Sequence, residues 1–116
     1  MDLRPTTEQQ MLRDSASRWV ADRVRAQAGG EPRPVAQTWR EMAGFGWLAM
    51  TIPERDGGLG QGLADACVLA ECLGAGPVTT PYLPAVILAG GLLADCGCEV
   101  QRARWLAPLA AGDALP

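Results

Sequence analysis

The chain contains no histidine. It therefore lacks the side chain that most often serves as base to a serine or cysteine nucleophile, and the commonest neutral metal ligand. Its 4 cysteines form no C-x-x-C, so a zinc site is not expected. Cys67 and Cys72 fall inside an apolar helical pattern, and Cys96 and Cys98 flank a glycine near a helix end. All four read as buried thiols, with Cys96 and Cys98 the pair to test for oxidation. Lysine is missing too, and the 10 arginines are interspersed with 13 carboxylates for a net charge of −3. No basic patch forms, which argues against nucleic acid as a ligand. Aromatic residues make up only 5%, and Trp19, Trp39, Trp47 and Trp105 occupy helix-compatible positions that suit packing or an interface. Long apolar runs are also absent. The longest, Leu83 to Ala94, is broken by Pro84 and by Gly90-Gly91 and is too short to span a bilayer. The opening MDLRPTTEQQ is polar, so no signal peptide is expected and the chain is assigned to the cytoplasm. At 116 residues it is expected to form one domain, 1–116, around one core.

What is present is helical periodicity. Thr6 and Thr7, followed three residues later by Gln9 and Gln10, resemble capping boxes, and a helix is expected from Thr7 to about Ala28. Leu12, Ala16, Trp19, Val20 and Val24 form its apolar stripe, and Gly29-Gly30 ends it. After a loop from Glu31 to Pro34, a second helix fits Pro34 to Ala43, with Val35, Trp39, Met42 and Ala43 inward and Gly44 and Gly46 as terminators. The segment LADACVLAECLG from Leu63 is apolar almost all round, as is the stretch from Leu83 to Cys96, so both are expected at the centre of a bundle. Gly74, Gly76 and Pro77 stop the first of these, and PVTTPYLP crosses to the second. Gly90-Gly91 inside a helix implies a close neighbour, either another helix or a ligand. A last helix, Glu99 to about Leu109, is expected to turn Val100, Ala103, Leu106 and Ala107 inward, with Pro108 bending or ending it. No segment alternates with period two. The fold class is all-α, an up-down bundle of about five helices.

Between the second and third helices lies GFGWLAMTIPERDGGLGQG, Gly44 to Gly62, with four glycines in its last six positions. Gly58-x-Gly60-x-Gly62 superficially resembles a dinucleotide-binding turn. However, Pro53, Glu54, Arg55 and Asp56 separate it from the apolar run, and their carboxylates would repel a phosphate. A structural connector, with glycines at positive φ or packed close, is the better reading. Among the acids, Glu71 reads as the most buried, hence the one whose pKa would be perturbed, though as a satisfied polar group rather than a base.

The run WREMAGFGWLAMTIPERDGGLGQGLADACVLAECLGAG from Trp39, followed by CEVQRARWLAPLAAGD from Cys98, resembles the N-terminal helical domain of acyl-CoA dehydrogenases. The residues that carry the likeness are Trp47, Pro53-Glu54, Gly57-Gly58-x-Gly60 and Glu71, in that order. Cys72 departs from the pattern where a second glutamate is common, and the PVTTPYLP crossover is similar to that of members acting on bulky or unusual CoA esters. The resemblance implies a flavoenzyme that oxidises the Cα–Cβ bond of an acyl-CoA. A glutamate takes the α-proton, and the β-hydride passes to FAD and on to an electron-transferring flavoprotein. In that family the flavin and the catalytic glutamate belong to a middle β-domain and a C-terminal bundle, so the chain looks like one third of an enzyme, inactive and colourless alone. No catalytic, cofactor-binding or metal residue is assigned. Thr80, Pro81, Tyr82, Leu83 and Ile87 correspond to one side of the acyl pocket, although Tyr82 and Leu83 would serve equally as domain packing.

Three roles remain open. The chain is the N-terminal domain of an FAD-dependent acyl-CoA dehydrogenase, a non-catalytic subunit that docks on a partner dehydrogenase, or a helical module that binds an acyl ligand beside Gly90-Gly91. In the first two cases the faces meant for the missing domains would favour self-association or oligomer formation.

Overall fold

A computed structural model describes residues 2–30, 33–76 and 78–114. Among these residues there is no strand; the elements are α1 (Thr7–Gln27), α2 (Val35–Gly44), a 3-10 turn (Glu54–Asp56), α3 (Leu63–Gly74), a π-helical segment (Leu83–Gly90), α4 (Gly91–Cys96) and α5 (Glu99–Ala111). The expected all-helical class is what is found. Parts of the expected loop, Glu31 and Pro32, and the expected stop Pro77 lie outside the described residues. The chain divides into two compact units, Met1–Pro32 with Ala64–Val78, and Arg33–Leu63 with Thr79–Pro116.

The first unit pairs α1 with α3. Thr6 opens α1 through a complete capping box: its Oγ1 accepts from Gln9 N–H at 3.1 Å and its own N–H donates to Gln9 Oε1 at 3.0 Å. Gln9 Nε2 donates to Asp65 Oδ1 at 3.0 Å, Arg13 reaches Glu71 at 3.3 Å, and Ser17 Oγ lies 3.6 Å from Cys72 Sγ. These contacts advance in step along both helices, which therefore run in the same direction. Ala16 and Val20 of α1 are buried, as are Ala66, Leu69, Cys72 and Leu73 of α3. Arg23 is buried as well, its guanidinium 4.7 Å from the Trp19 ring centre.

Three expectations fail in this unit. Val24 is exposed rather than part of the stripe. Glu71 stands in solvent with 70% of its side chain exposed, since it sits one position off the buried Cys72–Leu73 edge. Its effect falls on its partner: the hydrogen bond from Arg13, and then the charge, raise the Arg13 pKa above its ordinary value. Finally, α3 is not surrounded, because one stripe is buried while Leu63 and Cys67 face outward.

In the second unit, α2 ends in a Schellman motif. Trp47 N–H returns to Met42 O at 3.1 Å and Gly46 N–H to Ala43 O at 2.9 Å, with Gly46 at φ 79°. Gly46 is thus the terminator, and Gly44 is the helix's last residue. Thr38, Trp39 and Met42 are buried, whereas Val35 is exposed. The connector then sinks Trp47, Leu48, Met50 and Ile52 into the interior. The expected α-helix from Leu83 begins instead as a π-helix, with Pro84 in its first turn, where a missing N–H costs no intrahelical bond. Gly90 and Gly91 both hold right-handed helical φ and ψ, so the segment continues unbroken into α4.

On α5 the inward residues are Leu106, Leu109 and Ala110 rather than Val100, Ala103 and Ala107; Val100 is 76% exposed. Leu106 alone of the expected stripe is buried, and Arg102, with its side chain 22% exposed, turns toward Asp56. Pro108 neither bends the helix to a stop nor ends it. The end comes at Ala111 with a second Schellman motif, in which Asp113 N–H reaches Pro108 O at 2.9 Å and Gly112 N–H reaches Leu109 O at 3.0 Å.

Candidate functional site

Of the five residues expected to line an acyl pocket, Thr80, Pro81 and Tyr82 precede the π-helical segment and Leu83 and Ile87 lie within it, and the structure sorts them by depth. Tyr82 is 1% exposed and belongs to the interior. Thr80, Pro81 and Ile87 are half-buried. The Thr80 hydroxyl lies 3.4 Å from Met42 Sδ, and Pro81 O accepts Ala85 N–H at 2.9 Å, which seats the first turn on α2. Leu83 alone of the five stands outward, at 55% exposure.

Leu83 does not stand alone. Leu88 is 68% and Leu92 64% exposed. A turn of π-helix takes between four and five residues and a turn of the α-helix that follows takes about 3.6, so residues five apart in the first and four apart in the second lie on the same side. Leu83, Leu88 and Leu92 consequently form one apolar row with Pro84 beside it. The sequence reading missed Leu88 and Leu92 because their spacing from Leu83 matches a face only in the π register. The all-apolar pattern was read as a helix at the centre of a bundle, and the exposure of these three leucines corrects that reading.

The close neighbour implied by Gly90 is α5. A Cβ there would lie 3.3 Å from Leu109 Cδ2, while at Gly91 nothing comes within 4 Å. At Gly90 the close neighbour is therefore a helix of the protein itself.

At the far end of α4 a small ionic cluster closes the wall. Asp56, in the 3-10 turn, has its side chain 8% exposed and receives Arg102 Nε on Oδ1 at 3.3 Å and Arg55 Nε on Oδ2 at 3.4 Å. Each arginine uses a second nitrogen on a carbonyl at the helix end: Arg55 Nη2 donates to Ala94 O at 3.0 Å and Arg102 Nη1 to Gly97 O at 2.8 Å. Arg55, Asp56, Gly57, Glu99, Arg102 and Ala107 are among the residues around a shallow cleft of about 470 Å³. Its charges are already paired or balanced, so it offers no net attraction to an ion.

The glycine-rich connector fits no dinucleotide. Its amides are consumed internally: Gly57 N–H donates to Glu54 O, Gly58 to Pro53 O, Leu59 to Ala49 O, Gly60 to Ile52 O and Gln61 to Met50 O. A phosphate cradle needs such N–H groups bare and convergent. A Cβ on Gly58 would lie 1.9 Å from Ile52 O, so the glycine is there for close packing. Among the described residues there is no cluster of three metal-ligating side chains, and no helix is long and apolar enough to cross a membrane. Of the thiols only Cys72 is buried; Cys67, Cys96 and Cys98 are exposed, contrary to expectation. Cys98 is the N-cap of α5, its backbone N–H donating to Gln101 Oε1 at 3.0 Å.

Among the described residues the fold is all-helical, with exposed leucines along the segment from Leu83 to Leu92. A family model for the N-terminal domain of acyl-CoA dehydrogenase matches residues 6–113, and the chain belongs to that family. It is similar to (2S)-methylsuccinyl-CoA dehydrogenase of Cereibacter sphaeroides, 33% identical over 94% of this chain and 21% of the relative. It is also similar to acyl-CoA dehydrogenase IpdE2 of Mycobacterium tuberculosis, 33% identical over 96% of this chain and 36% of the relative. Among solved structures, the ChsE4-ChsE5 complex of Mycobacterium tuberculosis superposes with a TM-score of 0.78 at 24% identity, over 97% of this chain and 30% of that one, a likeness of fold. The chain thus spans about a fifth to a third of the length of the relatives it matches.

Proposed function

We propose that this chain is the N-terminal helical domain of an FAD-dependent acyl-CoA dehydrogenase and supplies one wall of the acyl pocket without catalysing the reaction itself. The observation that carries the proposal is the set of exposed leucines Leu83, Leu88 and Leu92 on a segment whose opposite side, Ala85, Val86 and Gly90, is buried. Leucines at this exposure leave apolar surface in water, which is favourable only when something covers it. Thr80, Pro81 and Ile87 complete the wall, and Tyr82 supports it from behind. FAD and the acyl-CoA substrate would be held mainly by domains outside these residues, since the glycine connector has no free amides for a pyrophosphate. An electron-transferring flavoprotein would reoxidise the flavin of the complete enzyme.

The same geometry serves a non-catalytic subunit docking on a partner dehydrogenase. That second reading is favoured by the two-component composition of the ChsE4-ChsE5 complex, whose fold this chain shares. Both readings require flavin to arrive from elsewhere.

The test compares the purified chain alone with a preparation containing the flavin-binding domains. Alone it is expected to be colourless and to oxidise no acyl-CoA. With the flavin-binding domains, Leu83→Trp is expected to raise KM for long or bulky acyl groups by about tenfold, leaving short ones near wild type, the size of effect expected from blocking a hydrophobic contact. Flavin-dependent turnover by the chain alone would overturn the domain reading, and unchanged selectivity in Leu83→Trp would overturn the wall.

A further inference from the structure

We propose that Asp56 is a positioning residue which, through Arg55 and Arg102, fixes where the Leu83–Leu92 wall stands; this rests on the wall reading above. The last carbonyls of a helix have no partner within it and carry the negative end of its dipole. Here Arg55 bonds Ala94 O and Arg102 bonds Gly97 O, so two guanidiniums grip the end of α4 and the residue after it. Asp56 is what lets both be there. Its carboxylate takes one guanidinium on each oxygen, and its side chain is almost wholly withdrawn from water.

Removing the charge would leave two like charges gathered around the site without their shared anion, and each would recover its hydration by swinging outward. The helix end would then lose both donors together. α4 is the last 6 residues of a helix that runs on unbroken from Leu83, and a helix frays from its end, where the final carbonyls have no partner within it. It is kept in place at one end by Gly90 against Leu109 and at the other by this clamp. Leu88 and Leu92 lie on the span whose far end the clamp secures, so their position follows the clamp. The cluster joins three pieces of chain: the connector turn, the end of α4 and the first turns of α5. Nothing in it touches the wall face itself, which marks Asp56 as acting through other residues.

The test measures amide hydrogen exchange on the chain, comparing wild type with Asp56→Asn, Asp56→Glu and Arg55→Ala. The last of these changes an exposed side chain and guards against a variant that does not fold. The amides from Leu88 to Gly97 are expected to exchange at least about tenfold faster in Asp56→Asn and less so in Arg55→Ala, with α1 unchanged and substantial recovery in Asp56→Glu. In the flavin-loaded enzyme containing this chain, Asp56→Asn is expected to raise KM for acyl-CoA about fivefold with kcat within about twofold. Unchanged exchange in that segment, or an equal rise everywhere, overturns the clamp whatever the kinetics give. Local loosening with unchanged KM overturns the link to the wall, and with it the positioning role.

Discussion

Replacing Gly58 by alanine probes the connector directly. A Cβ at this position would meet Ile52 O at 1.9 Å, Ile52 C at 2.4 Å and Ile52 Cβ at 2.5 Å, where ordinary contacts begin near 3.4 Å. Two of these three are backbone atoms, and the carbonyl concerned also accepts Gly60 N–H at 2.9 Å. Gly58 does not have a left-handed φ, so the penalty comes from contact alone. Forcing a methyl into packed surroundings costs about 1–3 kcal/mol, and giving up one or two backbone hydrogen bonds adds about 0.5–1.5 kcal/mol each. The expected loss is therefore about 3 kcal/mol, a fall in Tm of about 10–20 °C for a chain of this size. Gly62→Ala is the control: it lies in the same loop, and nothing comes within 4 Å of a Cβ there. It is expected to leave stability unchanged or to raise it by up to about 1 kcal/mol. Urea and thermal unfolding followed by circular dichroism give both numbers. Equal stability of the two variants would refute the packed-connector account and reopen the question of why the stretch holds four glycines.

Leu109→Ala, at a fully buried position beneath Gly90, is expected to cost about 2–5 kcal/mol, while Val100→Ala on the same helix stays within about 0.5 kcal/mol; chemical denaturation of both tests the observed inward face of α5. Maleimide labelling of the native chain followed by mass spectrometry is expected to modify Cys67, Cys96 and Cys98 readily and Cys72 only after denaturation; rapid labelling of all four would contradict the packing of α3. Asp2 is expected to titrate below the ordinary carboxylate range, because the Arg4 side chain and then its backbone N–H bond the ionised form. With the folded pKa depressed, that contribution is present above the unfolded value and is lost as pH falls through the folded one; an NMR titration in which Arg4→Ala left the midpoint unmoved would refute the cause.

The helix boundaries were legible because their signals are local. Thr6 with Gln9, the glycines after α2 and the apolar run before Pro53 act within a few residues of themselves. The elements they predicted lie within a few positions of those observed. The family was legible for a related reason: Trp47, Pro53-Glu54 and the glycines of the connector occupy a packed turn whose contacts are mostly internal.

The candidate site was less legible. Leu83 was found, but Leu88 and Leu92 were not, because a π-helical segment changes which residues share a face, and no local pattern announced one here. Tyr82 and Leu83 are adjacent in the chain, yet one is interior and the other outward. Glu71 and Asp56 exchanged roles as well. Glu71 looked buried amid apolar neighbours but stands in solvent, while Asp56, in a charged turn that looked exposed, is the enclosed carboxylate.

The sequence alone therefore determined the all-helical class and the order of the helices, which depend on periodicity and on short-range turn chemistry, and its motif residues carried the resemblance to the acyl-CoA dehydrogenase family. Only the tertiary structure decided which apolar residues remain outward and which carboxylate is enclosed. Asp56 and Arg102 meet across 46 positions of chain. A pairing at that separation is set by how the segments pack, and no local pattern encodes it.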